Sequence, residues 1–254
     1  MKLKNNSFLE NIRSFNPQIG TWNMINTPMV SEIVASTGFD WAVVDMEHAP
    51  NEVETVMTQL QAFGEYPTAP VVRPPTNEPV VTKRLMDIGA PNLLFPMVNS
   101  GSEAAAAVAS VRYPPYGIRG MAGIHRGNRY GRTTDYMDRV EDQTGIIVQI
   151  ESRQAVENIE EITLTEGVDG VFFGPADLSA DMGIKGGINA DETWALIENC
   201  AAQVRKLGKP AGTLVGSAEH AKQLFDKGLT FVAIGGDMGI LARGLDKILA
   251  DAKG

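Results

Sequence analysis

The sequence predicts an α/β fold, a (β/α)8 or TIM barrel, because eight short apolar runs alternate with segments of helical periodicity. The runs, among them WAVVD, NLLFP and IIVQI, are continuously apolar, as expected for parallel strands that are covered on both faces. A length of 254 residues suits one such barrel, and no linker or low-complexity stretch divides the chain. We therefore expect a single domain over residues 1–254.

Each predicted element has its own signal in the sequence. The predicted strands, in order, are Gln18–Asn23, Trp41–Asp45, Pro70–Arg73, Asn92–Pro96, Ile146–Ile150, Gly170–Phe173, Pro210–Leu214 and Phe231–Ile234. Three helices carry start signals: Asn51 with Glu54 resembles a capping box before VETVMTQLQAF, Ser100 and Gly101 precede the alanine-rich Ser102–Ser110, and Asp191 precedes Glu192–Lys206.

Composition limits the partners of the protein. The 31 acidic residues outnumber the 22 basic ones, and a net charge of −9 argues against binding to nucleic acid or to anionic membranes. A single cysteine excludes an internal disulfide framework and a multi-cysteine zinc site. No apolar run has the length of a membrane helix, and the N-terminal MKLKNNSFLENIRSF lacks the apolar core of a secretory signal. We expect a soluble, cytoplasmic protein with small-molecule substrates.

In such a barrel, functional side chains lie at the carboxyl ends of the strands and in the loops that follow. The charged residues at these positions are Asp45, Glu47, His48, Arg73, Glu151 and Asp177. Charges there are costly to desolvate unless they are paired, metal-bound or hydrated. Their convergence therefore predicts an active site at this end of the barrel, which we call the mouth.

Two carboxylates at the mouth suit a divalent metal ion. Glu151 and Asp177 follow neighbouring strands and offer the hard oxygen ligands that Mg²⁺ and Mn²⁺ prefer. Because both also precede predicted helices, each could instead be a helix cap or a first-turn acid.

Three further residues at the mouth suit proton transfer and oxyanion stabilisation. Asp45 and His48 are three residues apart, so the carboxylate could orient the imidazole as a general base; a structural histidine in a turn is the alternative. Arg73 precedes two prolines and could stabilise a developing oxyanion, or form a salt bridge at the barrel rim.

Several chemistries are excluded by what the predicted strands lack. No lysine lies in any of the eight runs, which argues against a Schiff-base aldolase; Lys185 alone lies in a loop on the expected face. The chain also has no P-loop, no dinucleotide-binding fingerprint after the first strand and no GxSxG motif, which excludes nucleotide chemistry and serine hydrolysis.

The segment from Arg112 to Arg139 interrupts the alternation of strands and helices. It holds six of the twelve arginines of an acidic protein. We expect these arginines to meet a substrate carboxylate or acidic groups of another subunit, with a solvated loop of structural ion pairs as the alternative.

The most specific motifs of the chain are GFDWAVVDMEHAPN, PVVRP, YPPYGIRG, VQIES and EGVDGVFFGPADLSADMG. With these motifs the chain resembles the metal-dependent (class II) pyruvate aldolases, the hydroxyketoacid aldolase family typified by 4-hydroxy-2-oxoheptanedioate aldolase. The likeness covers nearly the whole chain. It implies a barrel whose last helix is exchanged between subunits of a homohexamer, a trimer of dimers.

The resemblance also implies roles for individual residues. It makes Glu151 and Asp177 the ligands of Mg²⁺, Mn²⁺ or Co²⁺, His48 and Asp45 a dyad, Arg73 the enolate-stabilising arginine, Gln149 a neighbour of the metal, and Gly174, Pro175 and Ala176 the receptor of the pyruvate carboxylate. It further makes Asp87 a carboxylate contributed to a neighbouring subunit. Trp22 and Leu214, at the ends of the first and seventh predicted strands, are expected to contact substrate.

The expected reaction is the reversible aldol cleavage of a 4-hydroxy-2-oxo acid into pyruvate and an aldehyde. Two alternatives remain open from the sequence. One is a coenzyme A thioester lyase of the citramalyl or malyl type, whose nucleotide only the Arg112–Arg139 segment could bind. The other is a non-catalytic acid-binding protein on the same barrel.

Overall fold

The computed structural model describes residues 1–254 and contains a closed barrel of eight parallel strands in sequence order. The strands are β1 (Gln18–Asn23), β2 (Trp41–Asp45), β3 (Ala69–Arg73), β4 (Asn92–Phe95), β5 (Gly145–Ile150), β6 (Gly170–Phe173), β7 (Ala211–Val215) and β8 (Phe231–Gly236). Pairing of β1 with β8 closes the barrel. The predicted fold class is confirmed, and every predicted strand is present.

The helices lie between the strands and cover the sheet. They are α1 (Ser7–Arg13), α2 (Pro28–Ser36), α3 (Val53–Phe63), α4 (Pro79–Asp87), α5 (Gly101–Val111), α6 (Tyr136–Arg139), α7 (Arg153–Glu157), α8 (Ile159–Leu164), α9 (Pro175–Asp181), α10 (Asp191–Lys206), α11 (Ala218–Asp226) and α12 (Asp237–Lys253), with short 3-10 helices at Arg126–Asn128 and Gly187–Asn189. None of them combines the length and apolar character needed to cross a lipid bilayer.

The predicted start signals are partly confirmed. The Ser100 side chain caps α5 by accepting a hydrogen bond from the Glu103 amide at 3.2 Å. Asp191 is the first residue of α10 and not its cap, a position where its charge still suits the helix dipole.

The predicted capping box of α3 is wrong by one residue. Glu52 and Thr55 form it, and not Asn51 and Glu54. The reason is that the Asn51 side chain is committed elsewhere: its Oδ1, the atom that would cap the helix, accepts from Gln59 Nε2 at 2.6 Å, and its Nδ2 donates to the Asp45 carbonyl at 2.7 Å.

The barrel interior is filled by large aromatic side chains, and α1 closes the end at which the strands begin. Phe8 of α1 lies 5.6 Å from Trp41 and 6.0 Å from Phe231, the first residues of β2 and β8. Glycines make room for these rings: a Cβ on Gly20 would lie 2.2 Å from the Trp41 ring, and one on Gly212 2.4 Å from the Phe231 ring. Because this end is plugged, the opposite end, where the strands finish, is left as the mouth.

Candidate active site

A fixed ion pair joins the ends of two neighbouring strands at the mouth. Asp45 and Arg73 are the last residues of β2 and β3 and are paired in register, so their side chains lie side by side. Arg73 donates from Nε to Asp45 Oδ1 at 2.9 Å and from Nη2 to Oδ2 at 2.6 Å. Two parallel hydrogen bonds restrict the rotation of a planar guanidinium, so the Asp45 carboxylate holds the Arg73 cation in one orientation.

Glu47 and Trp22 complete the surroundings of the arginine. Glu47 Oε2 lies 2.7 Å from Arg73 Nη1, as an ion pair that is not aligned as a hydrogen bond. The Arg73 guanidinium also lies 5.4 Å from the centre of the Trp22 ring. Burial alone would lower the pKa of Arg73, but the hydrogen bond and charge of Asp45, with the charge of Glu47, raise it above its usual value. The cation is therefore retained although the side chain is buried.

The predicted dyad is not formed, because the side chains of Asp45 and His48 are not hydrogen-bonded to each other. Asp45 accepts hydrogen bonds from the backbone amides of Glu47 at 3.0 Å and His48 at 3.4 Å, because a carboxylate at a strand end readily bonds the amides of the following turn. Its remaining capacity is used by Arg73. The His48 imidazole is instead 58% exposed, with Nε2 3.9 Å from Glu47 Oε2. Glu47, which sequence reasoning placed at the mouth but gave no role, is its neighbouring carboxylate.

Glu151 is a buried carboxylate held from three sides. Gln149 Nε2 donates to its Oε1 at 2.7 Å, and the Met97 amide donates to its Oε2 at 3.1 Å. A Cβ on Gly174 would lie only 2.1 Å from Oε1, so only glycine fits there. Burial raises the pKa of Glu151 to about 7, and the negative charges of Glu47 and Asp177 act in the same direction.

The Met97 amide is a partner that the sequence did not reveal. Met97 has a φ of 52°, in the left-handed region that residues other than glycine seldom adopt. This conformation occurs in the loop after β4, where the Met97 amide bonds Glu151. No sequence signal marks it, because methionine is not a residue that favours positive φ.

Asp177 lies in the first turn of α9 and is exposed. Gly174 and Pro175, which begin this turn, are buried. The Gly174 amide donates to the Ile150 carbonyl at 3.3 Å, and proline has no amide hydrogen. The amide of Ala176, in the first helical turn, has no carbonyl partner within the helix and is therefore available to a ligand.

The carboxylates fit a divalent cation with open coordination positions. Burial is the main cause that raises the pKa values of Glu47 and Glu151; the charge of Asp177 also raises both, and the charge of Glu47 raises that of Glu151. Gln149 Oε1 and Glu47 Oε2 are buried without a hydrogen-bond donor. No three His, Cys, Asp or Glu side chains are spaced to enclose an ion by themselves. The donor set therefore suits a hard cation that takes its other ligands from water or substrate.

The remaining predicted substrate contacts also lie at the mouth. Trp22, the last residue but one of β1, is 5% exposed, and the centre of its ring lies 5.5 Å from that of Phe172. Leu214 of β7 is half-buried beside the aromatic cluster of the barrel interior.

Asp87 and the arginine-rich segment lie at the opposite end of the barrel. Asp87 ends α4, which runs away from the mouth, and it pairs with Arg119 at 2.8 Å. Arg119 is buried and stacks on Tyr113 at 4.4 Å, and Arg139 pairs with Asp135 at 3.5 Å. Asp87 therefore cannot serve the mouth of its own chain. Arg119 and Arg139 form structural ion pairs, which was the alternative to an anion-binding role for this segment.

Comparison with known proteins gives the family. The model of the HpcH/HpaI aldolase/citrate lyase family matches residues 18–243. The chain belongs to this family. It is 46% identical to 4-hydroxy-2-oxo-heptane-1,7-dioate aldolase of Escherichia coli, over 96% of this chain and 94% of that protein.

Solved structures of the family have the same fold. A family protein from Burkholderia cenocepacia J2315 superposes with a TM-score of 0.94 at 34% identity, covering 98% of this chain and all of that one. An HpcH/HpaI aldolase from Desulfitobacterium hafniense DCB-2 gives a TM-score of 0.89 at 27% identity, covering 96% and 95% of the two chains. The predicted family and the predicted carbon–carbon lyase of the aldolase type are confirmed, and the coenzyme A thioester lyase is not favoured.

Proposed function

We propose that this HpcH/HpaI family aldolase cleaves 4-hydroxy-2-oxo acids reversibly into pyruvate and an aldehyde through a pyruvate enolate stabilised by a divalent metal ion. The observation that carries the proposal is the buried Arg73 cation, held in one orientation at the same mouth as Glu151 and Asp177. Negative charge that develops on a substrate oxygen between these groups is stabilised by a cation that does not need to reorient.

Arg73 stabilises the enolate oxygen. When the C3–C4 bond breaks, its electron pair forms the C2–C3 double bond, and negative charge moves to the oxygen on C2. Arg73 uses two of its five N–H groups in hydrogen bonds to Asp45, which leaves donors on its terminal nitrogens for this oxygen. Protonation at C3 then gives pyruvate.

Glu151 and Asp177 would hold the metal ion, Mg²⁺, Mn²⁺ or Co²⁺, with Gln149 beside them. When bound, the ion supplies Lewis-acid stabilisation of the charge on the 2-keto oxygen. The carboxylate of pyruvate is received by the backbone at Gly174, Pro175 and Ala176, where the free amide of Ala176 supports the assignment.

His48 moves the proton. Its imidazole is exposed at the mouth and lies beside the Glu47 carboxylate, so it can reach substrate and can be stabilised when protonated. In cleavage it accepts the proton of the C4 hydroxyl, and the C4 group becomes the aldehyde when the C3–C4 bond breaks. In the synthetic direction it removes a proton from the pyruvate methyl group.

The last helix supports an oligomer. Along the 17 residues of α12 only Asp237 is buried, and the helix projects from the barrel. Its exposed apolar side chains are Met238, Ile240, Leu241, Leu245, Ile248 and Leu249. We propose that this apolar face packs on a neighbouring barrel in a homohexamer of the family's kind, a trimer of dimers, and that Asp87 serves the mouth of a neighbour.

An assay of pyruvate release tests the proposed function. Purified protein is incubated with several 4-hydroxy-2-oxo acids, with Mg²⁺, Mn²⁺ or Co²⁺ or with a chelator, and pyruvate is measured. We expect release with a divalent ion and a loss of release on chelation. Release that needs a coenzyme A thioester, or release that is unchanged by the chelator, would contradict the proposal.

A further inference from the structure

We infer that Gln59 and Asn51 are positioning residues, which hold the loop of residues 46–51 so that Glu47 and His48 face the mouth. This inference rests on the proposed function for the role of that loop. Neither side chain touches the carboxylate of Asp45 or the guanidinium of Arg73, and neither residue belongs to the predicted site.

Gln59 is the centre of a fully buried amide network. Its Oε1 accepts from Asn23 Nδ2 at 2.7 Å and from Ser31 Oγ at 3.1 Å, and its Nε2 donates to Asn51 Oδ1 at 2.6 Å. The network thus joins the end of β1, helix α2 and helix α3 to the loop after β2.

The second link runs from Asn51 to the active site. Asn51 Nδ2 donates to the backbone carbonyl of Asp45 at 2.7 Å, so one side chain closes the loop on itself. Glu47 and His48 lie inside this closed loop. The Asp45 carbonyl belongs to the same residue whose carboxylate orients Arg73, so the network reaches both halves of the site.

The position of Gln59 argues for this role. Gln59 is 0% exposed and lies on the buried face of α3, among Val53, Val56, Leu60 and Phe63. A buried amide contributes little net stability compared with apolar packing, since its desolvation offsets its hydrogen bonds. An apolar side chain could not orient Asn51, because only the Gln59 amide both accepts a hydrogen bond from Asn23 and donates one to Asn51.

The test compares Gln59→Met with a matched control. Gln59→Met keeps the volume of the side chain and removes its hydrogen bonds. The control is Asn92→Leu, at the start of β4 and the far end of the barrel, where a buried amide donates to the Pro70 carbonyl at 3.1 Å and accepts from Asn6 at 2.8 Å. Asn51→Ala, a change in a loop, provides a second variant should Gln59→Met not fold.

The expected kinetic result is a loss of turnover without a comparable loss of substrate binding. We expect kcat to fall about 10²-fold in Gln59→Met and in Asn51→Ala, because displacement of a catalytic loop by about 1 Å has this effect, while KM changes little. Asn92→Leu keeps the wild-type kcat. In a His48→Ala background, Gln59→Met should lower kcat by less than about twofold, since both changes act on the same step. Additive losses in this double-mutant cycle would overturn the inference.

Hydrogen exchange separates this inference from the proposed function. The amides of Glu47 and His48 should exchange at least about tenfold faster in Gln59→Met than in the wild type, and at the wild-type rate in Asn92→Leu. Unchanged exchange in Gln59→Met would overturn the inference, whatever reaction the protein catalyses. If the wild type shows no aldol cleavage but the exchange result holds, the proposed function fails and the positioning of the loop stands.

Discussion

Arg73→Lys should lose about 10²–10³-fold in kcat, the loss typical of removing a fixed donor to a developing oxyanion. The lysine keeps the positive charge, but a point charge on a flexible stem cannot reproduce the two parallel bonds to Asp45. Arg73→Ala should lose more, and it should also lower the free energy of unfolding by about 3–5 kcal/mol, because the buried Asp45 carboxylate is left without its partner. Steady-state kinetics and urea denaturation measure the two effects.

A second arginine–aspartate pair provides the control for this prediction. Arg13 donates to Asp169 Oδ1 from Nε at 3.0 Å and from Nη2 at 2.7 Å, at the end of the barrel away from the mouth. Arg13→Lys should change stability slightly and leave kcat at the wild-type value. If Arg73→Lys also kept its kcat, Arg73 would be only a salt bridge of the barrel rim.

Glu151→Gln should lose divalent-metal binding and turnover together. The amide removes the charge that a hard cation requires, and the remaining carboxylate ligand cannot hold the ion alone. Titration calorimetry with Mn²⁺ and kcat measure the two losses. Wild-type metal affinity in this variant would contradict the assignment of Glu151 as a ligand.

The same substitution should stabilise the metal-free fold at high pH. Because the pKa of Glu151 is raised in the folded protein to about 7, its ionisation destabilises the fold progressively above the ordinary pKa of 4.5 and fully above about 7. In a chelator, Glu151→Gln should therefore melt above the wild type at pH 8 and close to it at pH 4.5. A lower melting temperature at pH 8 would contradict this account of the buried charge.

Asp177 needs a different control, since an acid in a first helical turn can simply stabilise its helix. Asp191 occupies the same kind of position in α10. Asp177→Asn should lose metal binding, whereas Asp191→Asn should change only stability, by less than about 1 kcal/mol.

The strands were predictable because their signal is local. Runs such as WAVVD and GVFF are apolar throughout, which predicts a buried strand without reference to the rest of the chain. The ends of the strands then place Asp45, Arg73, Glu151 and Asp177 at one mouth. The pairing of these residues was not predictable in the same way. Whether Asp45 binds His48 or Arg73 depends on the register between β2 and β3, which no single stretch of sequence contains.

The partners of the loop residues could not be predicted for a related reason. Asn51 has the residue type and position of a helix cap, but its Oδ1, the atom that would accept from the helix amides, accepts instead from Gln59 Nε2. The arginines of the Arg112–Arg139 segment have the composition of an anion site, yet Arg119 pairs with Asp87 of an earlier helix and Arg139 pairs with Asp135 of the preceding turn. Composition shows that charges need partners and does not show which ones they take.

The most direct test of the metal-stabilised enolate is the exchange of pyruvate methyl protons with deuterated water, followed by NMR with no aldehyde present. This measurement isolates enolate formation from the making and breaking of the carbon–carbon bond. We expect the wild type to exchange these protons with a divalent ion and to stop on chelation, and Arg73→Lys and Glu151→Gln to exchange about 10²-fold more slowly or not at all. Exchange at the wild-type rate in Arg73→Lys, or exchange that persists in the chelator, would contradict the account.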